Sequence, residues 1–309
     1  MEDFDDPLGL GTARSRLSEE ETVKRMLDTG VQIARDQGLK VSFDLLRLED
    51  VIAEAGVSRS AVYKRWPRKE QFYSQVLLRL AGEAHPALAA YDVGTELTAI
   101  DVALAHLDWF ATPKGRHKLF VEMCREGALQ NFTVLRERKE WQVYMALHAT
   151  LSSLPDNRFQ DAMREALRAS EEAFIDKMSD FYIRMIEVLG YRMKPAVGDV
   201  GYAEFAALGA AIVEGLVMTS SATPMLSEQR FMIDPFGTGE LVDWSYPALG
   251  FTSIALALVE PDPTVRWDAA RISAIEPLLR TARATSERGQ LKDPPESPQL
   301  VNQGHLTKA

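Results

Sequence analysis

The chain has a single cysteine, Cys124, among its 309 residues. That excludes an intramolecular disulfide, and one thiol alone cannot build a cysteine-rich zinc site. Uninterrupted apolar runs are short. None reaches the roughly 18 residues that a membrane-spanning helix needs. The best stretch, EFAALGAAIVEGLVM, carries Glu204 and Glu214, so no membrane partner is expected. The opening MEDFDDPLGL is acidic where a secretory leader is basic and then apolar, which predicts a cytoplasmic protein. Histidines are few (His85, His106, His117, His148 and His305), and no two stand at i, i+4, so no metal site is expected. The motifs G-x-S-x-G, H-E-x-x-H and G-x-G-x-x-G and the P-loop are missing. Gly9-Leu10-Gly11 and Gly237-Thr238-Gly239 read as loops. No catalytic residue, metal or cofactor, and hence no enzyme, is expected. There is no convincing hairpin or alternating strand pattern, and no repeat of fixed period.

Positive charge is also scarce. Asp and Glu number 45 against 35 Lys and Arg, a formal net charge of −10. Such a balance opposes nucleic-acid binding unless the cations are concentrated locally. What is present in quantity is helical pattern. Hydrophobic residues make up 46% and charged residues 26%, as in a folded globular chain. Residues 1–17 read as a flexible arm, and 286–309, with Pro294, Pro295 and Pro298, as a disordered tail.

Ser18-Glu19-Glu20-Glu21 is a capping box: Ser18 accepts from the Glu21 amide while Glu21 reaches back. The stripe Val23, Met26, Leu27, Val31, Ala34 follows, with Gly38 as the C-cap. Three more helices are expected at Leu48–Ala55, from the Ser58 cap to Trp66, and from Pro67 to about Glu83. From His85 the helices lengthen and become more apolar. They are placed at Thr95–Thr112, Arg116–Arg125, Leu129–Ser153, Arg158–Leu189, Tyr202–Ser221, Pro247–Val259 and Val265–Ala284, with Gly127 and Pro155 among the breaks.

The sharpest signal lies between Leu48 and Trp66. Two short helices meet across Gly56, the layout of a helix-turn-helix. Leu48, Val51, Ile52 and Ala55 face inward, and Val57 and Val62 lock the second helix. Arg59, Ser60, Ala61, Tyr63 and Lys64 are left facing outward. Local charge reverses the bulk balance here: from Val57 to Leu80 the six cations Arg59, Lys64, Arg65, Arg68, Lys69 and Arg79 meet one acid, Glu70. A positive face on an acidic body is suited to duplex DNA.

The run AGVSRSAVYKRWPRKEQF, Ala55 to Phe72, resembles the DNA-binding domain of TetR-family transcriptional regulators, whose pattern is A-G-V-S-x-G-x-[LIV]-Y-x-[HY]-[FW]-x-[SN]-K-[ED]-x-[LF]. The match covers about a sixth of the chain. Ser60 stands where the family often has Gly, and Arg68 where Ser or Asn caps the fourth helix. Leu39–Arg47 is a few residues longer than usual. The resemblance implies an all-α fold: a three-helix DNA-binding head at 18–84 and a helical effector-binding and dimerisation domain at 85–285. It implies Arg59, Ser60 and Ala61 at base edges of double-stranded DNA, with Tyr63, Lys64 and Lys69 on phosphates. It also implies a near-palindromic operator, regulation that is most often repression, and a homodimer paired through 202–221 and 247–259.

The middle helices carry large side chains at helical spacing. Trp109, Met123, Trp141, Tyr144, His148, Phe181 and Tyr182 are the expected lining of a pocket for a small apolar or aromatic effector, with Arg125 as a further polar group. Residues 223–246, rich in aromatics, read as a lid or dimer-padding loop. The competing reading is a helical, dimeric ligand-binding or scaffold protein whose helix-turn-helix is not functional.

Overall fold

The structure is a computed structural model, and it describes residues 17–37, 47–82, 91–153 and 158–290. The expectations for the N-terminal arm up to residue 16, the Gly38 cap, the long stretch 39–46, His85-Pro86, Pro155 and the tail from 291 lie outside those residues. The chain separates into two compact units, Met1–Leu80 and Ala81–Ala309. Among the described residues it is helical apart from short turns and four three-residue strands.

The first unit is built from α1 (Glu19–Gln37), α2 (Leu48–Ala55), α3 (Arg59–Arg65) and α4 (Lys69–Gly82). Ser18 Oγ accepts the Glu21 amide at 3.0 Å, but the Glu21 carboxylate does not reach back. It pairs with Arg25 one turn on, at 2.9 Å. Only half of the capping box forms, because an i, i+4 guanidinium competes for the same carboxylate. α2 buries Leu48, Val51, Ile52 and Ala55 and stops at Gly56, whose φ of 64° lies in the left-handed region. Ser58 Oγ then accepts from the Ala61 amide at 3.2 Å and starts α3. Val62 and Trp66 are fully buried. Trp66 Nε1 donates to Gln75 at 3.1 Å, and its ring meets the edge of Phe72 at 5.2 Å. α1 and α4 approach closely at Gly30, where a Cβ would stand 3.0 Å from Val76 and 3.1 Å from Phe72. The ion pair of Asp28 with Arg79 joins the same two helices.

The second unit contains α5 (Val93–Ala105), α6 (Pro113–Glu137), α7 (Lys139–Ser153), α8 (Arg158–Val188), α9 (Tyr202–Ser220), α10 (Met225–Glu228), α11 (Tyr246–Leu258) and α12 (Ala269–Gln290). Its strands are β1 (Tyr191–Met193), β2 (Phe231–Ile233), β3 (Val242–Trp244) and β4 (Val259–Pro261), paired antiparallel as β1–β4 and β2–β3. Strands of three residues are too short for a period of two to show in a sequence.

Several helix boundaries differ from the sequence expectation. The helix expected to reach Thr112 ends at Ala105, and Leu107–Ala111 is a 3₁₀ turn. His106 caps the helix and stacks on Trp109 at 3.8 Å, while Pro113 holds the residue before it extended, as its own helix begins. Gly127 does not break the chain: α6 runs through it and stops at Arg138, whose guanidinium donates to the Tyr91 carbonyl at 3.0 Å. α12 starts at Ala269, where Asp268 accepts from the Arg271 amide at 2.8 Å, and runs to Gln290, past the expected onset of disorder at 286. Residues 223–246, expected as a lid or dimer-padding loop, contain regular structure. They form α10 and the β2–β3 hairpin, with Phe231, Phe236 and Trp244 packed around Val121 of α6.

The centre of the second unit is the apolar cluster of α5, α6, α8, α9, α11 and α12, including Phe110, Leu119, Phe181, Phe205, Ala255 and Leu279. α9 has a window of mean hydropathy 1.4, so by length and composition it could cross a membrane. In the fold it packs on α6, α8 and α11. Gly190 sits at φ 67°, and a Cβ there would stand 2.5 Å from the Trp267 ring. Gly190→Ala is therefore expected to cost more than about 1 kcal/mol through backbone strain and displacement of that indole. A chemical denaturation series checks this, with wild-type stability as the contrary result.

Candidate nucleic-acid interface and apolar cavity

α3 is only seven residues long and cannot hold itself together as an isolated helix. Val62 and Trp66 fix its rotation, and the opposite side is solvent-facing. Arg59, Ser60, Tyr63 and Lys64 are exposed, and Ala61 is half-buried. The Tyr63 hydroxyl donates to the Glu49 carboxylate of α2 at 3.2 Å, so it is tied across the turn in this structure. Arg65 lies over the Trp66 ring, 5.4 Å from its centroid. Lys69 is the exposed first residue of α4. The Gln71 amide bonds the Arg68 carbonyl, so backbone rather than a Ser or Asn side chain closes this helix start. The resulting surface carries Arg59, Lys64 and Lys69 beside hydroxyl groups. Cations and hydroxyls of this kind suit phosphate oxygens and base edges.

The second unit holds a partly open apolar cavity of about 90 Å³. Met123, Phe181 and Tyr182 line it, together with Phe120, Phe205 and Phe251. Trp109, Trp141, Tyr144 and His148 do not. Trp109 is sandwiched between His106 and the Lys118 ammonium, 4.0 Å from its ring. Arg125 pairs with Glu122 and Glu126 and donates to the Asp243 carbonyl at 2.9 Å, facing β3 instead. No α7 residue reaches the cavity: Trp141 and Tyr144 pack with each other at 5.0 Å, and the His148 ring meets Tyr144 at 4.5 Å. A list of large side chains cannot say which face of each helix points inward. The sequence reading also missed Gly127, whose missing side chain leaves part of the space, and Gly209, which lets the Phe251 ring approach to 2.7 Å from where its side chain would begin. The signal lies in Gly127, a glycine inside a long helical pattern, which on sequence alone reads as a break.

A second polar group of residues joins α7, α8 and α9. The Tyr144 hydroxyl donates to Glu171, and Glu214 lies within electrostatic reach of both. Burial, and then the Glu171 charge, push the Glu214 carboxyl up to about 7. Burial lowers His148, and Glu171 partly offsets this.

No protein-family profile matches the chain, and no curated protein matches it. Among solved structures it is similar to a crystal structure from Rhodococcus sp. provisionally assigned as a TetR-family transcriptional regulator. The identity is 13% and the TM-score 0.37, over 77% of this chain and 98% of that one. The fold itself defines a predominantly helical protein with a helix-turn-helix unit and a helical unit that holds a partly open cavity.

Glu214 gives a pH dependence with a definite sign. Its folded pKa lies above the ordinary carboxylate value, so the native state holds the proton more tightly than the unfolded chain. The contribution of this group to stability is then full below about pH 4.5 and is lost as pH rises through about 7, by up to about 3 kcal/mol. Glu214→Gln is expected to flatten that slope and raise stability at pH 8. Urea denaturation from pH 5 to 8 measures it, and an unchanged slope would count against the assignment.

Proposed function

We propose that the protein is a cytoplasmic, homodimeric, DNA-binding transcriptional regulator of the TetR kind, acting as a repressor whose DNA affinity responds to a small molecule in the helical unit. The observation that carries this is α3. Val62 and Trp66 hold it by its apolar side, and Arg59, Ser60, Tyr63 and Lys64 stand free of the core, with Lys69 close behind in sequence. A helix so placed can enter a major groove, where its first residues read bases and the later cations grip phosphates. The acidic balance of the rest of the chain limits non-specific adhesion. Two heads on a dimer would read half-sites about one helical turn apart.

Pairing has its own support. On α9, Leu208, Ala211 and Met218 form an exposed stripe at helical spacing, with Leu208 at 46% and Met218 at 57% exposure. α11 packs beside it through Gly250, where a Cβ would stand 2.8 Å from Ile212, and shows Ser253 and Ala257 outward. Small residues on two adjacent helices allow close approach of a second copy, and apolar ones favour it.

DNA binding is tested on the duplex recovered by sequencing fragments that the purified protein retains. In fluorescence anisotropy over a salt series, Lys64→Ala with Lys69→Ala is expected to weaken binding about tenfold or more. The salt slope should fall by about 1 per lysine per bound head. Retention of no duplex, or an unchanged slope in the double variant, would favour a scaffold role instead. Ala211→Arg, an exposed change on the α9 stripe, is expected to give monomers in sedimentation velocity while leaving the helical signal intact. A wild-type chain that sediments as a monomer would refute the pairing.

A further inference from the structure

We propose that the cavity takes an uncharged, mainly apolar molecule of single-ring size bearing one hydrogen-bond acceptor, and that the Tyr182 hydroxyl donates to that acceptor. The inference rests on the effector reading above and gives that site its chemistry.

Charge comes first. No Asp, Glu, Lys, Arg or His lines the cavity. An ionised ligand would give up part of its water with no opposite charge to meet it, which is costly against an apolar lining. The walls are instead aromatic rings and methionines, among them Phe120, Phe205, Phe251, Met123 and Met178. Ring edges and thioethers favour a flat apolar body. At about 90 Å³ the space fits one ring with a short substituent, given that a single water takes about 10–15 Å³ on the same scale.

The polar lining is Thr95, Cys124, Asn131 and Tyr182. Thr95 turns its hydroxyl to Asp92 at 3.2 Å, and its methyl lies 3.9 Å from where a Gly127 side chain would begin. Asn131 already interacts within the protein. Cys124 is pushed by burial up to about 12 and stays a thiol, a weak donor. Tyr182 differs. Burial raises its phenol well above the usual range, so it remains protonated and can donate. Its ring is wedged against Phe205 at 4.7 Å and Phe251 at 6.0 Å, while part of its surface stays open to the cavity. Among the described residues its hydroxyl meets no hydrogen-bond partner; the oxygen lies 3.6 Å from where a Gly209 side chain would begin. Tyr182 is partly exposed and lines the cavity, so its hydroxyl has a donor to offer a ligand acceptor placed at its cavity end.

The experiment uses the full chain and three probes of matching size: acetophenone, ethylbenzene and benzoate, titrated by calorimetry at pH 7.5. Acetophenone is expected to bind about fivefold tighter than ethylbenzene, the worth of one hydrogen bond. Benzoate is expected to bind at least about tenfold more weakly than acetophenone. Tyr182→Phe removes one atom and should erase the preference for acetophenone while leaving ethylbenzene unchanged. Gly127→Leu, which fills the cavity, should abolish binding of both; if circular dichroism shows that it fails to fold, the Tyr182→Phe comparison decides. Benzoate binding as well as acetophenone, a preference that survives in Tyr182→Phe, or no binding of acetophenone would each overturn the inference. Anisotropy on the operator duplex separates this outcome from the regulatory reading. Intact DNA binding with no probe binding removes the ligand chemistry alone, whereas probe binding with DNA affinity unchanged removes the effector role alone.

Discussion

Burial of Val62 and Trp66 is the constraint on which the rest depends. A helix of seven residues has too few internal hydrogen bonds to persist unaided, so tertiary contacts decide both its existence and its rotation. Trp66 contributes doubly, through the edge of Phe72 and through its bond to Gln75, both belonging to α4. With that rotation set, the exposure of Arg59, Tyr63 and Lys64 follows from the 100° step between residues, not from any property of those side chains. The proposed groove-reading surface is the reverse side of a packing decision.

The helical unit shows the complementary principle. Its cavity arises where side chains are withheld. Gly127 lies within the unbroken α6 and leaves open space, its nearest neighbour being the Thr95 methyl at 3.9 Å from where a side chain would begin, and Ala128, Ala206 and Ala210 add further small positions to the wall. A protein interior normally closes such gaps, because unfilled space forfeits dispersion contacts. Here the surrounding rings are braced against one another, Phe120 on Tyr191 at 4.6 Å and Phe205 on Phe251 at 5.7 Å, which keeps the walls from collapsing inward.

How much could be read from the chain follows from the range of the forces. The first unit was legible almost to the residue. Ser18, Gly56 and Ser58 act on amides within three positions, and the inward set Leu48, Val51, Ile52 and Ala55 follows from one helical period. The second unit was legible as helices but not as faces. Trp141 and Tyr144 are as large and aromatic as Phe181 and Tyr182, yet they pack with each other and do not line the cavity. Gly127 was misread because a glycine that ends a helix and one that makes room inside it look alike until the neighbouring helix is in place. The β2–β3 hairpin escaped because Phe231, Phe236 and Trp244 gain their meaning only against Val121 of α6.

The start of the helical unit links these themes. Tyr91 and Asp92 stand just before α5, and both are anchored: the Tyr91 carbonyl and the Asp92 carboxylate accept from Arg138, at 3.0 and 3.3 Å. The Tyr91 hydroxyl donates to Glu96, which also takes the Ser286 hydroxyl at 2.7 Å, while Asp92 caps α5 at the Thr95 amide. Thr95 sits in the middle of this clamp and is itself a cavity wall. A molecule that displaced Thr95 would work against all of these bonds at once. Its influence on the chain leading into α5 is therefore bounded by how much more tightly it binds the displaced arrangement than the one described here. A ligand that fits the cavity without moving Thr95 would stabilise the unit and change nothing beyond it.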